Sequence, residues 1–216
     1  SRMVVHLIKV LAKQGVVSVA AAGNEDNVRP LFPAADPRVI AVAALGDDGS
    51  KASYSNFGGW VDLAAPGGDA LLGSGITSLS PGGGLATTAG TSMAAPLVTG
   101  TLGLLMSRYS LQSFEVVRRH LLANSDMDIY RSTANEGINF SYYILRSGGV
   151  EYPLLGAGIL RVDWVVQRTP QKSKFYHPTS CGLIGAEPYQ GGQVEWVLFL
   201  LPLCLILLGA NRGRRA

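Results

Sequence analysis

Apolar residues recur at helical spacing over 2–13, where Val4, Leu7, Ile8 and Leu11 line one side and His6, Lys9 and Lys13 the other. This pattern predicts a short amphipathic surface helix. Gly15 ends it, and Val16-Val17-Ser18-Val19-Ala20-Ala21 changes the pattern to a continuous, β-branched run, as in a strand buried on both faces of a parallel sheet. The same signature returns in Val39-Ile40-Ala41-Val42-Ala43-Ala44-Leu45, after a loop holding Pro30, Pro33 and Pro37. Gly46-Asp47-Asp48-Gly49 closes that strand. A third candidate strand covers 60–64, and residues 67–90 read as loop, with Pro81-Gly82-Gly83-Gly84 at a turn. Beyond them Leu97, Val98, Leu102, Leu104, Leu105 and Met106 fall on all sides of one helix with no charge before Arg108, which predicts a central helix buried all round. Pro96 is expected in its first turn, where a missing N–H costs little. A second, amphipathic helix is expected over 111–124, with Leu111, Phe114, Val117 and Leu121 inward and Arg118 and Arg119 outward. Apolar strands alternating with helices predict the α/β class, with helices layered on a mainly parallel sheet.

The pattern weakens after this point. Residues 126–155 are polar with scattered aromatics and read as an insertion with one strand at 142–145, inside a folded portion spanning 1–166. Residues 167–193 are rich in proline and glycine and read as a linker. Residues 194–216 read as a hydrophobic helix and an Arg-rich tail: Trp196–Ala210 is uncharged and precedes Arg212-Gly213-Arg214-Arg215. As a helix that run is about 22 Å long against a hydrocarbon core of roughly 30 Å, a marginal span that Trp196 at one interface and snorkelling arginines would help.

Composition adds few constraints. Eighteen Lys and Arg against 15 Asp and Glu give +3, and Arg212, Arg214 and Arg215 account for that excess, so the body of the chain shows no nucleic-acid footprint. At 47% hydrophobic the chain has material for a real core. Cys181 and Cys204 form no disulfide framework. Ser1-Arg2-Met3-Val4 is neither an initiator methionine nor a signal core, and the chain is expected to begin inside a longer protein.

Chemistry concentrates in Gly90-Thr91-Ser92-Met93-Ala94-Ala95-Pro96, which puts a serine at the start of the apolar helix, and in Ala21-Ala22-Gly23-Asn24, at the end of the first strand. Ser92 taken alone reads as a helix N-cap and Asn24 as a turn residue. Together, with Gly156-Ala157-Gly158-Ile159-Leu160-Arg161-Val162-Asp163 as a closing element, they resemble the C-terminal half of the catalytic domain of a subtilisin-like serine protease (subtilase). The resemblance implies a doubly wound, mainly parallel sheet, here as a partial domain. It implies Ser92 as nucleophile and Asn24 as an oxyanion-hole donor. Ala21, Ala22 and Gly23 would form one wall of the substrate pocket, Gly90 would give the substrate backbone room, and Thr91 would sit at the rim. Leu97 stands where the family usually carries a structural histidine.

The family orders its triad Asp, His, Ser. No Asp-Ser/Thr-Gly or His-Gly-Thr-His segment occurs in these residues, so the resemblance implies that both lie upstream and that the 216 residues alone are inactive. His6, His120 and His177 read as ordinary surface residues, and Asp62 and Asp163 as structural. The expected partners are a polypeptide substrate, the upstream half of the same domain, the membrane through the C-terminal helix, and a protease recognising a C-terminal sorting signal. The expected location is extracytoplasmic, tethered by the helix or released after its processing. Calcium would be a structural ligand by resemblance, with no acidic cluster to mark a site and no other cofactor indicated. Two other readings stay open: a catalytically dead surface or binding protein on the same fold, and an α/β-hydrolase esterase using Ser92, Asp163 and His177 in that order.

Overall fold

The computed structural model describes residues 2–110, 113–130, 144–147, 150–170, 199–200 and 206–208. Its centre is a sheet of three parallel strands, β1 (Val17–Ala21), β2 (Val39–Leu45) and β3 (Leu63–Pro66), with β2 in the middle. Ser18 pairs with Val39, and Val42 with Leu63. All seven residues of β2 are buried, as its unbroken apolar run requires.

Alternate residues sort the core into two layers. Val17, Val19, Ile40, Val42, Leu63 and Ala65 face the helix α2 (Thr91–Tyr109) and, beyond it, α3 (Phe114–Ala123) and α4 (Val162–Gln167). The other face packs Ala20, Val39 and Ala41 on Ile8 of α1 (Arg2–Lys13), and Ala43, Leu45 and Ala64 on Ile129 and Leu155. Helices on both faces of a parallel sheet make the doubly wound arrangement. Leu102, Leu105 and Met106 are essentially inaccessible, and burying each contributes about 2–3 kcal/mol.

Gly156-Ala157-Gly158 crosses the sheet end so closely that a Cβ at either glycine would collide with the Asp62 or Asp126 carbonyl, and both glycines have positive φ, at +60° and +93°. Ile159 then bridges Ala64 and Asp126.

Several expectations change. Residues 67–90 are not all loop: they hold a short 3-10 turn (Ala70–Leu72) and a hairpin of β4 (Ile76–Leu79) and β5 (Leu85–Thr88). The hairpin is almost wholly exposed, so it carries no core-facing alternation by which a sequence betrays a strand. The helix α2 is not buried all round, because Leu97, Gly100 and Leu104 form an exposed stripe that no described element covers. Pro96 is its sixth residue, one turn further in than expected, and so offers no N–H to the Ser92 carbonyl. Arg118 turns inward to pair with the buried Asp62, which also accepts the Ala41 N–H (2.8 Å). His120 is 7% exposed, between α3 and α4, with Nε2 against the Val165 carbonyl (2.8 Å). Within 126–155, β6 (Ile144–Ser147) pairs with β7 (Val150–Pro153), and Ile129 and Leu155 belong to the core.

The C-terminal hydrophobic helix gains no support from the described residues. The described residues of that run are two short strands, β8 (Phe199–Leu200) and β9 (Ile206–Leu208), and β9 lies antiparallel to β1, with Leu208 opposite Val17. Among the described residues, β9 is the strand that pairs the edge of β1 away from β2, and an extended segment can satisfy such edge backbone groups where a helix would not. Among the described residues no helix is long and apolar enough to cross a membrane. The linker beyond Pro170, the rest of the tail with its arginines and sorting-like features, and His177, Cys181 and Cys204 lie outside the described residues.

Candidate active site

The parallel strands all end on one side of the sheet, where open α/β folds form their ligand crevice. Here β1 releases the loop 22–27, and β3 leads to Gly67-Gly68. After the hairpin the chain returns to this point, and the Gly90 N–H donates to the Gly67 carbonyl (3.0 Å). Thr91 and Ser92 follow as the first two residues of α2.

Thr91 joins the two segments. Its hydroxyl donates to Asn24 Oδ1 (2.8 Å) and accepts the Gly23 N–H (3.2 Å), while its backbone N–H also donates to Asn24 Oδ1 (3.0 Å). Two donors on one atom fix that atom as the carboxamide oxygen. Asn24 Nδ2 is thereby turned the other way and has no hydrogen-bond partner among the described residues. A Cβ built on Gly90 would lie 3.9 Å from Asn24 Nδ2 and 3.7 Å from the Ser92 backbone nitrogen, so both donors border one small volume above Gly90. The Ser92 N–H belongs to the first turn of α2, where backbone donors lack intrahelical acceptors and the helix dipole favours negative charge. Ser92 is half-buried, and its Oγ makes no hydrogen bond among the described residues.

Sequence and structure thus agree on bringing Ser92, Asn24 and Gly90 together. They differ on Thr91 and Ala22. The Thr91 residue is fully buried rather than at a rim, and Ala22 is inaccessible, packed in the core with Phe57 and Val61. Of the expected pocket wall, Ala21 and Gly23 keep partial exposure.

Two supporting groups escaped the sequence reading. The Asn56 carboxamide grips the loop 22–27, and Lys51, 8% exposed, sets its ammonium against Asp26 Oδ1 (2.7 Å) and the carbonyls of Ala52 (2.9 Å) and Ser55 (3.1 Å). An asparagine in Ser53-Tyr54-Ser55-Asn56 has the composition of any turn, and nothing in the sequence marks it as buried.

On the other side of Gly90, the Tyr54 hydroxyl donates to the Gly68 carbonyl (2.7 Å). Burial and the nearby charge of Asp69 push its phenol up to about 12. Asp69 is 2% exposed. Burial alone would raise its carboxyl, but hydrogen bonds from the Ser53 N–H and hydroxyl and the Leu71 N–H hold it below its ordinary value. Because the unfolded phenol ionises near 10, the unfolded state releases a proton that the folded state keeps until about 12, and stability falls across that window. In the complete protein, Tyr54→Phe is expected to flatten this alkaline loss while lowering stability at neutral pH. Chemical unfolding curves below and within the window check it, and an unchanged alkaline slope would remove Tyr54 as its source.

Among the described residues, the buried carboxylates are engaged within the protein, Asp62 by Arg118, Asp69 by Ser53 and Asp36 by Arg38. Among the described residues no group of three or more His, Cys, Asp or Glu is placed to hold a metal ion.

Comparison with known proteins bears on the family of the chain. The Subtilase family profile matches residues 3–143, more than half of the chain. Subtilisin-like protease 6 of Arthroderma gypseum is 43% identical over 93 residues, which make up 43% of this chain and 21% of that protein. The Trichophyton verrucosum protein of the same name is 46% identical over 93 residues, with the same shares. Among solved structures, the prenylagaramide maturation protease PagA superposes with a TM-score of 0.60 at 25% identity, covering 77% of this chain and 55% of that one. The self-cleaved protease domain of PatA gives 0.57 at 28% identity, covering 75% and 53%. The match thus spans about a fifth of the length of these curated relatives and about half of the solved chains. With a family profile over most of its folded portion, relatives above 40% identity and a parallel sheet carrying Ser92 at a helix start, the chain belongs to the subtilase family.

Proposed function

We propose that this chain carries the nucleophile and the oxyanion hole of a serine endopeptidase whose Asp and His come from residues outside these 216. The observation that carries the reading is the convergence of Asn24 Nδ2 and the Ser92 N–H on one volume beside Gly90, with the Ser92 hydroxyl on the same helix turn. In the complete enzyme, histidine takes the Ser92 proton as Oγ bonds to the carbonyl carbon of a polypeptide substrate. The carbonyl π pair moves to its oxygen, which accepts hydrogen bonds from Asn24 Nδ2 and the Ser92 N–H. Histidine then protonates the departing amine as the C–N bond breaks, and water hydrolyses the acyl-enzyme by the same steps in reverse order.

No described histidine fills the base role. His6 is exposed on α1, and His120 is committed to Val165. Among the described residues, Leu97 and Leu104 on α2 and Met3, Val4 and Leu7 on α1 stay exposed, apolar surfaces that further chain of the same domain would bury. An esterase triad gains no support, since Asp163 is spent on Arg161 and the strand before Ser92 belongs to the exposed hairpin rather than to the central sheet.

The test is cleavage of a protein substrate by the complete protein. Gly90→Ala sharpens it. Gly90 has extended backbone (φ 160°), and an added methyl would make only ordinary contacts, so the fold tolerates it. The methyl would nevertheless stand between the two donors. We expect thermal unfolding to be unchanged and kcat to fall about 10²-fold; an unaltered kcat would place the reacting oxygen elsewhere.

A further inference from the structure

The loop 22–27 is not held by its own residues. Asn24 is exposed, its oxygen is tied to Thr91, and the direction of Nδ2 depends on the path of the backbone on either side. That path is set from outside: the Thr91 hydroxyl accepts the Gly23 N–H, Lys51 holds Asp26, the Tyr54 carbonyl accepts the Asp26 N–H (2.9 Å), and the Phe57 N–H donates to the Asn27 carbonyl (3.1 Å). Four further bonds come from one side chain far along the chain.

We propose that Asn56 is the positioning residue of the oxyanion hole: its buried carboxamide holds residues 22–27 in the conformation that presents Asn24 Nδ2 beside the Ser92 N–H. The proposal rests on the reading of Asn24 as an oxyanion donor. Asn56 is 1% exposed. A carboxamide has two N–H donors and an oxygen able to accept two hydrogen bonds. All four are used here, and all on the loop that flanks Asn24. Nδ2 donates to the Ala22 carbonyl (3.0 Å) and to Glu25 Oε2 (2.6 Å), and Oδ1 accepts the N–H groups of Glu25 (3.0 Å) and Asn27 (3.2 Å). The Asn56 backbone N–H adds a bond to the Gly23 carbonyl (3.0 Å).

The grip therefore starts two residues before Asn24 and ends three after it. Asn56 Nδ2 also occupies the place that a Cβ on residue 23 would need, and Gly23 has φ +106°, so the loop passes Asn56 in a conformation suited to glycine. A side chain serving only as core filler would spread its bonds over its surroundings. This one directs them all to a single loop.

Asn56 would touch no substrate and would act through Asn24 alone, which makes the proposal separable by a double-mutant cycle in the complete protease. We expect Asn24→Ala to lower kcat by about 10²- to 10³-fold. Asn56→Ala is expected to lower kcat by about 10- to 100-fold with KM within about twofold, because displacement of a catalytic donor by about 1 Å is felt in the chemical step. In the double variant the Asn56 substitution should cost nothing further, since the donor it positions is gone. Should Asn56→Ala fail to fold, Asn56→Ser, which keeps a donor and an acceptor, carries the same cycle with a smaller kcat loss.

Loss in Asn24→Ala beside an unaltered kcat in the Asn56 variants overturns the positioning role alone. Losses that multiply in the double variant overturn it too, by showing that Asn56 acts by another route. A kcat untouched by Asn24→Ala overturns the oxyanion reading itself.

Discussion

In the complete protein, Ser92→Ala is expected to abolish the proposed peptide hydrolysis, with kcat falling about a millionfold while substrate binding and thermal unfolding stay close to the parent. That magnitude is the one known for the nucleophile of subtilisin and is carried over from it. The structural grounds are specific to this chain. Ser92 is the second residue of α2, half-buried, with its hydroxyl engaged by nothing among the described residues. Its removal therefore leaves no broken hydrogen bond and only a minute cavity, so a merely structural serine would change neither stability nor rate. Steady-state kinetics on a peptide substrate, with calorimetry on the same samples, separates the two cases. Retention of even a hundredth of the parental kcat would rule Ser92 out as nucleophile.

Asn24→Ala gives the second large effect. It deletes Nδ2, one of two donors at the oxyanion position, and is expected to lower kcat about 10²- to 10³-fold, about 3 kcal/mol, again the loss known for such a donor in subtilisin. It also deletes Oδ1, the acceptor for the Thr91 N–H and hydroxyl. Asn24→Asp tells these losses apart. It keeps both Thr91 bonds but places a carboxylate oxygen where the donor stood, beside a developing negative charge. We expect Asn24→Asp to be as stable as the parent and at least as inactive as Asn24→Ala. If Asn24→Asp keeps most of the activity, Asn24 acts by holding Thr91 and not by binding the oxyanion. Kinetics and unfolding midpoints on the three proteins check this directly.

The parts of this architecture that could be read in the sequence are those that bury apolar surface continuously. Val16–Ala21 and Val39–Leu45 announce themselves because a strand covered on both faces has no polar position to spare. Ser92 and Asn24 were legible as a pair, through a motif specific enough to outweigh the ordinary readings of each. What could not be read is polar and buried, or exposed and regular. Asn56 and Lys51 have turn-like neighbours, and their burial depends on the distant loop 22–27 folding over them. Arg118 and His120 sit on the side of α3 that looks solvent-facing until Asp62 and Val165 arrive from other elements to receive them. The hairpin β4–β5 buries almost nothing, so no periodicity marks it. Leu97 and Leu104 show the reverse problem: the apolar pattern of α2 implies a covering layer that the described residues do not supply.

The tail follows the same logic. Hydrophobicity alone does not choose between helix and strand for a short apolar run. The open edge of β1 supplies backbone partners for Ile206–Leu208, and the extended form results.

The roles of Ser92 and Asn24 are tested most directly by a crystal structure of the complete protein after reaction with a fluorophosphonate. The expected result is a phosphorus atom bonded to Ser92 Oγ, with the phosphonyl oxygen beside Gly90 and about 2.7–3.1 Å from both the Ser92 backbone nitrogen and Asn24 Nδ2. A phosphonyl group on any other side chain, or one on Ser92 whose oxygen turns away from Asn24, would contradict it.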